Sequence, residues 1–228
     1  MKVTCIILHY WLERTKNIDI IVKALKEGTH KPDKIIVFNN NREVVLPDIE
    51  GVLVINSNTN YGGRARYPIA LLEPSSHYLF LDDDTAPQQG TLANMVKYAD
   101  NDHCIGYVGK LTHGKSYLES PTTFSQDITE PTTVDVLIGT GGILAPHSAL
   151  LKMFKTEERL LQLGFEFGRD EDLVLSMSNP SKVIPAKSDE GLTELSTEGV
   201  GYYLQEGHNR RRNLVTQIMK KLLIDKKS

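Results

Sequence analysis

Residues 77–85 read HYLFLDDDT. Tyr78-Leu79-Phe80-Leu81 is a short apolar run of strand-forming residues, the pattern of a strand buried on both faces of a parallel sheet. Asp82, Asp83 and Asp84 follow without a spacer. Three carboxylates at one strand end repel one another unless positive charge sits among them. A divalent cation can supply it, and oxygen ligands suit Mn2+ or Mg2+. A solvated acidic turn is the plain alternative. In open α/β sheets ligands bind at the carboxyl ends of strands, so the surrounding chain must decide.

Working back from this stretch, residues 3–8 (VTCIIL) read as a first strand, with His9, Tyr10 and Trp11 at its end and Arg14 just beyond. A helix is expected over 13–27, with Ile18, Ile21, Val22 and Leu25 on one face and Gly28 as its stop. A second strand, 34–38, ends in Asn39-Asn40-Asn41. A short strand at 52–55 leads into the loop 56–63, and a helix with Pro68 near its start returns the chain to the acidic strand. This alternation argues a parallel sheet wrapped by helices.

Working forward, a helix is expected over 88–101 and a strand over 103–109. Residues 110–132 are rich in Thr, Ser and Pro and read as a long surface excursion or irregular hairpin. A strand over 134–138 runs into Gly139-Thr140-Gly141-Gly142. Helices are expected at 147–163 and 170–178, a weak strand at 182–185, a flexible stretch at 188–200 and a last strand at 202–205. The chain ends in a basic helix over 209–225. No repeat or interdomain linker stands out.

The 228 residues suffice for one substantial domain. A formal net charge of −3 gives no field directed at nucleic acid. Cys5 and Cys104 lie in apolar surroundings and read as reduced core thiols, not a disulfide or zinc site. No run approaches the ~20 apolar residues of a membrane span. The expected location is cytoplasmic and soluble.

Three further constellations carry chemistry. Gly62-Gly63-Arg64-Ala65-Arg66 joins glycines that let backbone approach a ligand to arginines suited to phosphate. Asp170-Glu171-Asp172 opens a helix, where acids favour the dipole but where one could also act as general base. His208 followed by Arg210, Arg211 and Arg212 suits a metal-bound diphosphate, although a solvated basic helix has the same composition. With Lys220, Lys221, Lys226 and Lys227 it could also face an anionic membrane surface.

In order, these pieces resemble the GT-A nucleotide-sugar glycosyltransferases of the inverting family-two type. The resemblance runs over residues 1–212. It implies a Rossmann-like α/β domain with a nucleotide-sugar-binding half (1–109) and an acceptor-binding half (110–212); the basic helical end beyond it (213–228) is read from the residues alone. It implies that Asp84, Asp82 and His208 hold Mn2+ or Mg2+, and that Asp172 is the general base with Glu171 its competitor. Donor contacts are implied for His9, Tyr10, Arg14, Asn39, Asn40, Gly63, Arg64, Asp82, Asp83, Gly141, Gly142, Arg210 and Arg212. The implied partners are a nucleoside-diphosphate sugar, UDP-linked, and a glycan or glycoprotein acceptor. Small virus-encoded members have a similar size, and for these the location is the host cytoplasm. The sequence departs from the family where asparagines replace the usual acid after the second strand and where Tyr67-Pro68 replaces an asparagine.

A haloacid-type phosphatase is disfavoured because Thr85 follows Asp84 directly and earlier strands precede the motif. A nucleotidyltransferase opens with a glycine-rich basic loop, where this chain has His9-Tyr10-Trp11-Leu12. A non-catalytic nucleotide-sugar-binding module would keep Asp82 and Asp84 without the chemistry.

Overall fold

The first strand, β1 (Val3–His9), is buried along its whole length, as a strand covered on both faces must be. The structure is a computed structural model that describes residues 1–112, 116–168, 170–195, 197, 199–201 and 204–224. After β1, helix α1 (Thr15–Glu27) buries Ile18, Ile21, Val22 and Leu25, spaced as one helical face, and ends where Gly28 donates to the Ala24 carbonyl at 3.0 Å. Then come β2 (Lys34–Asn39), β3 (Leu53–Asn56), α2 (Arg66–Ala70) and β4 (His77–Asp82). The middle of the chain forms β5 (Thr85–Pro87), α3 (Thr91–Tyr98), β6 (Cys104–Gly106), β7 (Val108–Lys110) and β8 (Thr122–Phe124). It continues with β9 (Thr132–Val134), β10 (Val136–Leu137), β11 (Ile143–Pro146), α4 (His147–Gln162) and α5 (Glu171–Met177). The last elements are β12 (Ser181–Val183), β13 (Leu192–Glu194) and α6 (His208–Ile224).

The main sheet has the order β3-β2-β1-β4-β11-β6-β12-β9. Its first four strands are parallel. β11 runs antiparallel to both of its neighbours, β4 and β6. Leu8 pairs with Asp82 and His9 with Asn39, so the tips of β1, β2 and β4 are level and the acidic turn lies at their shared carboxyl edge. Alternation sends Ile6, Tyr78 and Phe80 into one core and Cys5, Ile7, Leu79 and Leu81 into the other. Cys5 and Cys104 are free and buried, and burial pushes the Cys104 thiol up to about 12.

Several boundaries differ from the sequence reading. The strand expected over 103–109 is two strands, β6 and β7, which break at Tyr107 and join different sheets. The excursion after β7 returns as β8, antiparallel to it, which makes the expected irregular hairpin. β11 went unread, because ILAP is a four-residue run ending in proline between a glycine pair and a helix. The stretch expected to be flexible contains β13, paired with β5 through Leu192 opposite Pro87 and Glu194 opposite Thr85. The strand expected at 202–205 lies partly outside the described residues, and Leu204 and Gln205 lead into α6. Pro68 sits in the first turn of α2, where its missing N–H costs no hydrogen bond.

Helix α6 carries basic residues outward but also buries Val215, Met219 and Leu222 in the cluster that holds Leu173 and Val174 of α5. Among the described residues, no helix is long and apolar enough to cross a membrane. Met219 is fully buried, so Met219→Ala should lower the unfolding free energy by about 2–5 kcal/mol. Urea denaturation checks this. An unmoved midpoint would mean that the helix adds nothing to the core.

Candidate active site

The strand tips open into a cavity of about 460 Å³. Leu8 and Phe80 form part of its lining, with Tyr10, Trp11 and Arg14 from the segment after β1. Gly63 comes from the short turn before α2, Arg66 and Tyr67 from the start of α2, and Asp82, Asp83 and Asp84 from the end of β4 and the turn after it. Tyr117, Ile138, Gly139, Thr140 and Ile143 contribute from the second half of the chain. Glu171 and Asp172 of α5 and His208, Asn209 and Arg212 of α6 complete the wall, with Gly201 before them.

Among the described residues five carboxylates and three guanidiniums share this space, and each arginine holds at least one acid in place. Arg14 Nη1 lies 2.9 Å from Asp83 Oδ1 and 2.9 Å from Asp84 Oδ2. Arg66 Nη2 lies 2.7 Å from Asp82 and 3.8 Å from Glu171. Arg212 grips Asp172 with two nitrogens, at 3.0 and 2.8 Å, and stacks over the Tyr117 ring at 4.9 Å. Gly139 donates its N–H to Asp172 Oδ2 at 3.2 Å. Gly63 leaves room for Glu171, since a Cβ there would stand 1.9 Å from Glu171 Oε1 and force that side chain to shift.

The environments split the acids. Burial pushes Glu171 up and Asp172 adds to the rise, against the opposing charge of Arg66, so that it titrates at about 7. Asp84 also rises to about 7, from burial and the charge of Asp82. Burial works the same way on Asp172, but the charge and hydrogen bonds of Arg212 outweigh it and hold its carboxyl below the usual range. Asp83 is held low too, since His9, the Tyr10 N–H and Arg14 more than offset its burial. Arg66 and Arg212 stay charged because their carboxylate partners overcome the cost of burial.

Of the residues singled out in the sequence, the cavity gathers Tyr10, Arg14, Gly63, Asp82, Asp83, Asp84, Glu171, Asp172, His208 and Arg212. The others stand elsewhere. His9 is wholly buried behind Asp83, at 3.1 Å. Asn39 braces Val44 and Asn56, and Asn40 braces Asn60 and Gly62, so both hold loops at the rim. Arg64 turns away to Glu157 at 2.5 Å and to the Phe167 ring. Gly141 packs on Val108, and Gly142 takes a positive φ of 61° to turn the chain into β11. Arg210 lines a second groove on the outer side of α6, and Arg211 pairs with Asp170.

Tyr117 reaches the cavity although no motif surrounds it in the sequence. Arg66 lines the cavity and Arg64 does not. The two are neighbours in one motif, and only the helical phase after Gly63 decides which faces inward.

The donor set suits a divalent cation of limited protein coordination. Among the described residues Asp84 Oδ1, which is buried, has no hydrogen-bond partner, and Asp82 and Asp84 both line the cavity. Among the described residues no three acid, histidine or cysteine groups converge as a ready metal cluster. Expected together as ligands, Asp82, Asp84 and His208 share the cavity without forming such a cluster. Two carboxylates with substrate phosphates and water supplying the rest is the usual arrangement for Mg2+.

The architecture matches solved structures. The chain aligns over 90% of its length with S. aureus TarS 1-349 in complex with UDP-GlcNAc, at TM-score 0.57 and 16% identity, covering 61% of that chain. It aligns over 97% of its length with the mannosyltransferase PcManGT from Pyrobaculum calidifontis in complex with GDP-Man and Mn2+, at TM-score 0.57 and 14% identity, covering 64% of that chain. For TarS 1-349 in complex with UDP the coverage is 95% of this chain and 71% of that one, at TM-score 0.53 and 15% identity. The chain therefore has the GT-A glycosyltransferase fold, and spans less than two thirds of the length of the first two structures. No protein-family model matches the sequence, and no curated protein matches it.

Glu171 and Asp84 hold protons more tightly folded than unfolded. Their stabilising contribution is complete below the unfolded values and is lost as pH rises through about 7. Asp83 and Asp172 act with the opposite sign, and their contribution is lost only on the acid side of the ordinary carboxylate range. The protein should thus resist urea better at about pH 5.5 than at about pH 8, and Glu171→Gln should flatten part of that slope. An unchanged slope in the variant would place the titrating group elsewhere.

Proposed function

We propose that the protein transfers a sugar from a nucleoside-diphosphate sugar, UDP-linked by preference, to an acceptor hydroxyl with inversion at the anomeric carbon. One observation carries this reading. The Asp82–Asp84 turn and the Glu171–Asp172 pair share one cavity at the carboxyl end of parallel strands in a GT-A fold. The reading is supported by the similar structures, whose complexes contain UDP-GlcNAc in one case and GDP-Man with Mn2+ in another.

Tyr10 and Trp11, edge-to-face at 5.1 Å, offer an aromatic wall to the nucleobase. Asp82 and Asp84 would hold Mn2+ or Mg2+ with His208 within the same cavity, and the ion when bound supplies Lewis-acid stabilisation of the leaving diphosphate. Arg14, Arg66 and Arg212 add fixed positive charge around that diphosphate. The acceptor oxygen forms its bond to the anomeric carbon as the sugar–phosphate bond breaks. The electron pair leaves on the phosphate oxygen, and the acceptor proton passes to Asp172.

Asp172 suits this role because Arg212 keeps it ionised and Gly139 fixes one oxygen. Glu171, at about 7, is the neighbour matched to neutral pH. Residues 1–109 provide most of the donor side, and 110–212 provide Tyr117, Ile138 and Thr140 toward a glycan or glycoprotein acceptor. Arg210, Lys221 and the exposed Leu214 on the outer face of α6 are suited to peripheral contact with an anionic membrane surface.

Asp172→Asn should keep donor affinity and lose about 10²–10⁴-fold in turnover, read by transfer or donor hydrolysis with Mn2+. Normal turnover in that variant, with loss in Glu171→Gln, would move the base to Glu171. Asp84→Ala should abolish the cation-dependent part of UDP binding in calorimetry. An unchanged Mn2+ effect on UDP affinity would remove Asp84 from the cation site.

A further inference from the structure

The acidic turn already has a cation of its own. Arg14 is almost fully buried, and a single terminal nitrogen reaches both Asp83 and Asp84. Its other terminal nitrogen donates to the Val200 carbonyl, and its Nε is buried without a hydrogen-bond partner among the described residues. The two aspartates stand differently toward it. Asp83 uses Oδ1 on Arg14 and Oδ2 on His9 and the Tyr10 N–H, so both of its oxygens are engaged. Asp84 meets Arg14 with Oδ2 alone, and its Oδ1 is a buried acceptor with no donor among the described residues. One positive charge is therefore divided between two adjacent carboxylates, and Asp84 is the less committed of the two.

We propose that Arg14 is the resident counter-cation of this turn and competes with a divalent cation for Asp84. Asp83 is its permanent anchor and Asp84 its exchangeable partner. Entry of the cation takes Asp84 Oδ2 from the guanidinium, while the bonds to Asp83 and Val200 keep Arg14 at the cavity wall. Arg14 is thus a positioning residue that sets how strongly the site attracts metal. The proposal rests on the cation site of the transferase reading but not on the transfer chemistry. It also gives the three adjacent carboxylates a buried partner within the chain, since an unpaired buried charge is costly.

The test is calorimetric titration of Mn2+ alone into the nucleotide-free protein. Arg14→Gln should bind Mn2+ about tenfold more tightly, because one unit charge has left a partly buried carboxylate site. Arg14→Lys, which keeps the charge, should stay within about twofold of the unaltered protein. Weaker or unchanged Mn2+ affinity in an Arg14→Gln protein with a cooperative melt overturns the proposal, and so does a lack of Mn2+ binding by both proteins. If Arg14→Gln does not fold, 15N spectra of the arginine side chains in the unaltered protein decide. Saturating Mg2+ should shift the Arg14 guanidinium signal and speed its exchange, and an unmoved signal is fatal. UDP binding in the presence of EDTA separates the two readings, since it tests the donor site whatever the cation does.

Discussion

The site depends on the pairing of buried carboxylates with buried guanidiniums around the tip of β4. Five acids in one cavity would repel one another severely in a low-dielectric setting. Arg14, Arg66 and Arg212 come from three separate parts of the chain and each takes its own acids. Removing one member of such a pair leaves an uncompensated charge, which is why the set behaves as a unit. Arg14 follows β1, Arg66 opens α2 and Arg212 lies in α6, so the fold must be complete before the charges balance.

This pairing also explains why neighbouring acids differ chemically. Glu171 and Asp172 are consecutive, yet one rises to about 7 and the other is held low. Asp172 receives two guanidinium bonds, whereas the nearest guanidinium nitrogen to Glu171 stands at 3.8 Å. Asp83 and Asp84 diverge for the same reason. Position along the chain sets which residues reach the cavity, and hydrogen-bond count sets what each can do there.

Much of this was legible in the residues. The apolar run before Asp82 is a central strand, and the alternation upstream of it is the parallel half of the sheet. The acidic turn, the Glu171–Asp172 pair and His208 reach one cavity, as their order in the chain suggested. What could not be read had physical causes. β11 is too short and apolar to show a period. Tyr117 lies in a polar stretch and becomes significant only when α6 brings Arg212 onto its ring. Asn39 and Asn40 hydrogen-bond the turns beside them, a use of their amides that no sequence pattern announces.

The placement of β11 has a consequence for how the molecule is made. It fills the gap between β4 and β6, although some sixty residues of chain separate its sequence from the end of β4. Until the ribosome has released that segment, β4 presents an open row of amides and carbonyls beside a hydrophobic strand, the kind of edge that recruits other chains. The nascent N-terminal half is thus at its stickiest in the interval before the antiparallel strand arrives to close the sheet.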